Sequence, residues 1–158
     1  MPDDITFIAD IVVDADCWAG EPDAEAIVQR AIASAAAKTG VSTSGGEVAI
    51  MLTDDAAIRT LNRDWRALDK PTNVLSFPAA EQGGGDGPRM LGDIAIAYET
   101  VRREASDEGK TFANHLSHLA IHGFLHLIGH DHENDDEAEA MESLERDILA
   151  ALGIPDPY

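Results

Sequence analysis

The sequence has little cysteine, few aromatic residues and few basic ones. Cys17 is its one cysteine, so an internal disulfide is excluded, and so is a zinc site built from several thiolates. No apolar run approaches the length that a membrane-spanning helix needs, and the acidic N-terminal stretch lacks the basic start of a secretory signal. These absences predict a cytoplasmic protein that has no membrane partner.

Basic residues are scarce relative to acidic ones, at 11 against 30, which gives a net charge of −19. Taken globally, this charge argues against a nucleic-acid partner. The distribution along the chain is uneven, because eight of the bases lie between Arg59 and Lys110, whereas ten acids follow from Asp131 onward. Charges are screened over about 8 Å at physiological salt, so a local basic patch can still act.

The length suits one domain, residues 1–158, with a real core. Alternation and β-branched content predict four strands, and apolar spacing with capping residues predicts helices between them. This pattern indicates an α/β or α+β fold with about four strands, although the strand order cannot be read from it. The predicted strands are 5–13, 47–52, 73–78 and 91–98, and the predicted helices are 23–38, 54–66, 98–108, 111–128 and 135–152. The stretch 80–90 is predicted to be a flexible glycine loop, whose residues 83–87 are either a lid over the cleft or a linker, with the linker favoured.

All six histidines lie between positions 115 and 132, and the string HGFLHLIGHDH contains four of them, including His122, His126 and His132. His122 and His126 are four residues apart, so on a helix they share one face and can reach one zinc ion. Gly129 can end the helix in a left-handed conformation, after which His132 supplies a third ligand. Three protein ligands with one open position are typical of a catalytic zinc, although a histidine-only set also suits nickel, copper or cobalt.

The neighbouring polar residues allow several roles. His118 and His115 continue the helical stripe, so each is a partner of a ligand, a general base or a packed residue. His130 follows the predicted end of the helix and is either an exposed residue or a further base or ligand partner. Asp131 either orients a ligating imidazole by accepting its second N–H or is a solvated acid.

A second motif, LNRDWRALDKPTNVLSFP at 61–78, leads from a helix into a strand. Arg66 and Lys70 lie where the helix ends, and we predict that both bind a substrate phosphate, with Arg66 stabilising charge in the transition state. Arg59 and Arg63 are expected to pair with the surplus acids. Trp65 could stack on a base, but a core position is favoured for it.

The histidine spacing is also that of metzincin proteases, whose HExxHxxGxxH motif has a glutamate after the first histidine as the general base. Gly123 takes that place, which argues strongly against proteolysis. A metal centre close to an arginine suits an anionic substrate, so phosphodiester hydrolysis is favoured.

HGFLHLIGHDH, together with LNRDWRALDKPTNVLSFP and LGDIAIA, closely resembles the YbeY family of bacterial endoribonucleases over residues 47–158. The resemblance implies a small mixed sheet with helices and a single-strand-specific, metal-dependent endoribonuclease acting in 16S rRNA 3′-end maturation and ribosome quality control. It places the zinc ligands at His122, His126 and His132 and the catalytic arginine at Arg66. It implies single-stranded RNA and the small ribosomal subunit as partners, with a small-subunit ribosomal protein and an assembly GTPase. Many members have tyrosine in place of His130.

Two other readings stay open. The chain could be a non-catalytic ribosome-assembly factor whose metal is structural, an alternative kept alive by its acidity and by the lack of an obvious base. A metzincin-like metalloprotease is the disfavoured third reading.

Overall fold

The computed structural model describes residues 7–41, 45–79 and 90–158. Over these ranges the chain forms four strands, five α-helices and a short 3-10 helix at Asp16–Gly20. The strands are β1 (Phe7–Val13), β2 (Gly46–Thr53), β3 (Val74–Pro78) and β4 (Met90–Ala97), and the helices are α1 (Ala24–Lys38), α2 (Asp55–Arg66), α3 (Tyr98–Asp107), α4 (Phe112–Leu127) and α5 (Asp135–Ala151).

Each predicted strand and helix is confirmed, with bounds that agree to within one or two residues. Residues 5–6 of the first predicted strand lie outside the described residues. Residues 80–89 of the predicted glycine loop also lie outside the described residues, and its last residue, Met90, begins β4.

The four strands form one sheet in the order β1-β2-β4-β3. β1, β2 and β4 run parallel, and β3 pairs antiparallel with β4 at the edge. The α+β fold with a mixed four-stranded sheet is therefore confirmed. Within the described ranges, no helix is both long and apolar enough to cross a membrane.

Helix α4 lies at the centre of the fold. It packs against β3 and β4 on one side and against α1, α3 and α5 on the others. Its apolar side chains, such as Leu116, Ile121 and Phe124, are fully buried in the main core. On the other face of the sheet, α2 buries Ile58 against Ala95 and Ala97 of β4. The histidine stripe therefore lies on a helix that is enclosed by the sheet and by three other helices.

The close approach of β3, β4 and the end of α4 depends on Gly92. Its φ of +144° is rarely adopted by other residues, and a Cβ built there would lie 2.4 Å from the carbonyl oxygen of Phe77 and 2.8 Å from a methyl of Leu127. No side chain fits in that space. Gly92 thus lets the edge strand and the C-terminal end of α4 meet, and this is the junction at which the predicted site residues lie.

Candidate metal centre

Three histidines converge at the C-terminal end of α4. His122 and His126 lie on successive turns of the helix, and His132 lies in the loop that leads to α5. One ring nitrogen of each lies within 4.8 Å of the others, and the Nε2 atoms of His122 and His126 are 3.1 Å apart. The structure therefore brings together the three residues predicted to bind the metal.

The turn after α4 carries His132 back toward the helix. Gly129 adopts φ +104° and its N–H donates to the carbonyl of His126, while the N–H of His130 donates to the carbonyl of Leu125. These two hydrogen bonds form a Schellman motif, which favours glycine at this position. The role predicted for Gly129 is therefore confirmed.

Asp131 contributes to the loop through the backbone. Its carboxylate accepts a hydrogen bond of 2.8 Å from the backbone N–H of His132, and this bond lowers the pKa of Asp131. Its observed contact is thus with the backbone of a predicted ligand and not with an imidazole ring. Asn134 then caps α5 by accepting from the N–H of Glu137.

The donor set fits a borderline transition metal. Imidazole nitrogens are typical ligands of zinc, and at least one of the three is biased toward its neutral, ligating form. Burial lowers the pKa of His126, and the neighbouring His122 and His132 lower it further because a second positive charge close to them is unfavourable. His122, His126 and His132 are the residues that would hold such an ion.

The residue behind His122 is Glu145 of α5, which the sequence analysis missed. It is 0% exposed, and its Oε2 lies 2.6 Å from Nδ1 of His122. Its signal in the sequence was its spacing, because it lies four residues after Met141 and three before Ile148, on the buried face of α5. A carboxylate on an apolar helix face is almost always paired.

His118 and His115 each contact a carboxylate. Nε2 of His118 lies 3.0 Å from Glu145, and Nε2 of His115 lies 2.9 Å from Glu104. Both histidines are buried. Several roles were left open for these two histidines. The position of His118 supports an indirect role, through Glu145, which contacts the predicted ligand His122. The position of His115 fits a packed residue.

A cleft of about 760 Å³ opens beside the three histidines. The other predicted site residues, Arg66, Lys70, His130 and Asp131, line it as well. Arg66 ends α2, and its guanidinium donates to the carbonyl of Ser76 at 2.7 Å and lies 5.0 Å above the ring of Phe77. These contacts hold a positive charge on the wall of the cleft.

The loop after α2 is fixed by a buried amide. Asn62 is 2% exposed and donates from Nδ2 to the carbonyl of Lys70 at 2.9 Å. Ala67, next to Arg66, ends the helix in a left-handed conformation with φ +61°. Together these features direct residues 67–70 along the rim of the cleft.

Of the remaining predictions for the motif at 61–78, two are confirmed and one is wrong. Arg59 pairs with Asp69 at 2.8 Å and Arg63 with Asp64 at 3.1 Å, so the ion-pair reading is confirmed for both. The core position favoured for Trp65 is wrong. Its side chain is 51% exposed and contacts the edge of Phe77, because α2 covers only part of its face of the sheet.

Gly123 faces the sheet and not the cleft. A Cβ built there would lie 3.1 Å from a methyl of Ile94 and 3.2 Å from Val74 and from the hydroxyl oxygen of Ser76. That hydroxyl donates to the carbonyl of Gly123 at 2.8 Å. No glutamate fits at this position, so the general base of a metzincin protease is excluded by packing as well as by sequence.

Fold and site together define an α+β protein with a three-histidine candidate metal centre at the end of a buried helix, beside a cleft that also holds an arginine. Residues 14–153 match the family described as Endoribonuclease YbeY. The chain belongs to this family, so the membership predicted from the two motifs is confirmed.

Curated relatives cover almost the whole chain. A protein of Bradyrhizobium diazoefficiens named Endoribonuclease YbeY is 66% identical over 155 residues, which are 96% of this chain and 85% of the relative. One of Nitrobacter winogradskyi with the same name is 68% identical over 157 residues, covering 97% and 83%. The solution structure of TM1509 from Thermotoga maritima aligns over 92% of this chain and 91% of its own, at 21% identity and a TM-score of 0.59, which shows a shared fold.

Proposed function

We propose that this protein is a zinc-dependent, single-strand-specific endoribonuclease that acts in maturation of the 3′ end of 16S rRNA and in ribosome quality control. The observation that carries the proposal is that Arg66 and the three histidines line one cleft. Support also comes from the family, whose curated relatives are named as endoribonucleases.

Within this site, Arg66 would bind the scissile phosphate. Two of its N–H groups already donate to backbone carbonyls, so the guanidinium is oriented before substrate arrives. Charge on the phosphoryl oxygens increases in the transition state, and a fixed guanidinium stabilises it more than a mobile one would. Lys70, across the rim, would bind a neighbouring phosphate as a point charge.

His122, His126 and His132 would hold the zinc ion. When bound, the ion would supply a Lewis acid for a phosphoryl oxygen and lower the pKa of a water molecule. Because Gly123 provides no base, we propose that proton transfer relies on that water, on the 2′-hydroxyl of the substrate, or on His130 at the edge of the cleft.

The preference for a single strand follows from the position of the site within a recess. RNA inside a duplex is recognised mainly at its minor groove, whereas an unpaired strand can place one phosphate in a cleft and splay the adjoining bases. A volume of about 760 Å³ is in the range of ordinary ligand pockets.

We propose that partners supply the affinity for RNA that this negatively charged protein lacks. A net charge of −19 repels free RNA, so productive binding would depend on RNA presented by the small ribosomal subunit in the cytoplasm. A small-subunit ribosomal protein and an assembly GTPase are the proposed protein partners.

The test is a cleavage assay on single-stranded and duplex ribosomal RNA, with metal content measured in the same samples. We expect wild type to cut the single strand, His126→Ala to lose both metal and cleavage, and Arg66→Gln to lose cleavage while retaining metal. Arg63→Gln is the matched control, since Arg63 is on the same helix but pairs with Asp64 at the surface. Equal cleavage by all four proteins would refute the proposal and favour the assembly-factor alternative.

A further inference from the structure

Behind the three-histidine cluster, a buried carboxylate accepts three hydrogen bonds. Glu145 is 0% exposed and lies 2.6 Å from Nδ1 of His122 and 3.0 Å from Nε2 of His118. The hydroxyl of Tyr158 donates to the same carboxylate. Its oxygens are thus satisfied by donors of the protein, although the residue is shielded from solvent.

The contact with His122 determines which ring nitrogen is available to a metal. Glu145 lies at hydrogen-bond distance on the Nδ1 side of the ring, and a carboxylate accepts from such a nitrogen, so Nδ1 of His122 carries the proton and Nε2 keeps its lone pair. Nε2 is the atom that lies 3.1 Å from Nε2 of His126, on the side of the cleft. Glu145 thus selects the tautomer of His122 that can bind an ion together with the other two histidines.

Tyr158 belongs to a segment that folds back over this carboxylate. The segment after α5 is held by a hydrogen bond from Lys110 to the carbonyl of Pro157 at 3.0 Å and by an ion pair between Arg146 and Asp156 at 3.1 Å. Arg146 also lies 5.5 Å above the ring of Tyr158. The residue is 56% exposed, but its hydroxyl reaches the buried Glu145 and donates to it.

We propose that Glu145 is the positioning residue of the metal centre, and that Tyr158 and His118 hold it in place, so that the segment after α5 is a working part of the site. Metal-binding histidines typically depend on such a partner for tautomer and orientation. The inference rests on metal binding by the three histidines and is independent of RNA cleavage.

A competing arrangement uses the same atoms. His118, His122 and Glu145 also have donor atoms within 4.8 Å of one another, which could hold a second ion. A second ion would require His122 to lose its Nδ1 proton and to bridge two metals. It would also displace hydrogen bonds that already satisfy the carboxylate. The hydrogen-bonded network is therefore favoured, and the number of ions bound per chain distinguishes the two.

The test measures zinc affinity of the full chain by competition with a chromophoric chelator, in the absence of RNA. Glu145→Gln is expected to weaken zinc binding by about 10–100-fold, and Tyr158→Phe by about two- to tenfold because it acts through Glu145. Glu139→Gln and Tyr98→Phe are matched controls. Glu139 is exposed on the same helix, and Tyr98 packs against Trp18 and Phe112. Both controls should bind zinc as wild type does.

A second measurement separates positioning from a general loss of structure. In the metal-free protein, nitrogen-15 NMR should show His122 protonated at Nδ1, with a shift toward Nε2 protonation in Glu145→Gln and no such shift in Glu139→Gln. The proposal would be overturned if Glu145→Gln bound zinc with wild-type affinity. It would also be overturned if wild type bound two zinc ions per chain and Glu145→Gln bound one. A wild type that binds no zinc would overturn it too. Normal zinc behaviour without RNA cleavage would instead overturn only the proposed function.

Discussion

Gly123→Ala is expected to destabilise the protein, although alanine is the better helix former. Replacing a helical glycine with alanine gains about 1 kcal/mol of helix propensity. Here the new methyl would lie 3.1–3.2 Å from Ile94, Val74 and Ser76, which are held in the sheet. Overpacking of this kind costs about 1–3 kcal/mol. The cost outweighs the gain, so we expect a net loss of about 1 kcal/mol.

Thermal unfolding of the metal-free protein measures this loss. For a chain of this size, about 1 kcal/mol corresponds to a midpoint lower by about 2–4 °C. Gly20→Ala is the matched control, because a Cβ at Gly20 would have nothing within 4 Å. That variant should be neutral or more stable by up to about 1 kcal/mol.

The opposite result would refute the reasoning. If Gly123→Ala unfolds at or above the wild-type temperature, α4 can move away from the sheet, and the argument that packing excludes a glutamate fails. If the packing argument holds, Gly123→Glu should fold poorly and should show no peptidase activity, because the carboxylate has no route from this face of α4 to the cleft.

Other perturbations of the site give separate expectations. Chelation should lower the unfolding midpoint by about 8–16 °C relative to protein with zinc at a thousand times its dissociation constant, and His126→Ala should abolish that difference. Gly129 has φ +104°, so Gly129→Ala should lower the free energy of unfolding by about 1–2 kcal/mol and should retain zinc less well. The control is Gly40→Ala, at φ +81° and remote from the site, which should lose stability without a change in zinc retention. Asn62→Ala removes the donor to the carbonyl of Lys70, so it should cost about 0.5–1.5 kcal/mol in denaturant unfolding and reduce RNA cleavage in the same preparation.

The local features of the fold could be predicted because their causes are local. Apolar spacing and capping residues located α4 and α5, and Gly129 marked the turn that brings His132 back. The strand order could not be predicted. β3 precedes β4 in the chain but lies at the edge of the sheet, and pairing between β2 and β4 depends on contacts across some 40 residues.

Glu145 shows why the residues that contact the predicted metal ligands from behind were harder to predict from the sequence. It is one of ten acids from Asp131 onward, and acids in so charged a region usually lie on a solvated helix face. Its partner His122 lies 23 residues earlier, on a different helix. Only the packing of α5 against α4 brings the two together. The position of Trp65 was mistaken for a related reason, since helical spacing does not show how much of a sheet face a helix covers.

The core around α4 has a practical consequence for preparing the protein. Its buried apolar side chains pack against the sheet and three other helices, and the three histidines are not members of this hydrophobic cluster. The chain should therefore reach its native shape during expression whether or not an ion is available. Yield, elution volume and circular dichroism would then look the same for loaded and empty molecules, and a purified batch can be a mixture of both. Elemental analysis of each batch is needed before specific activities are compared.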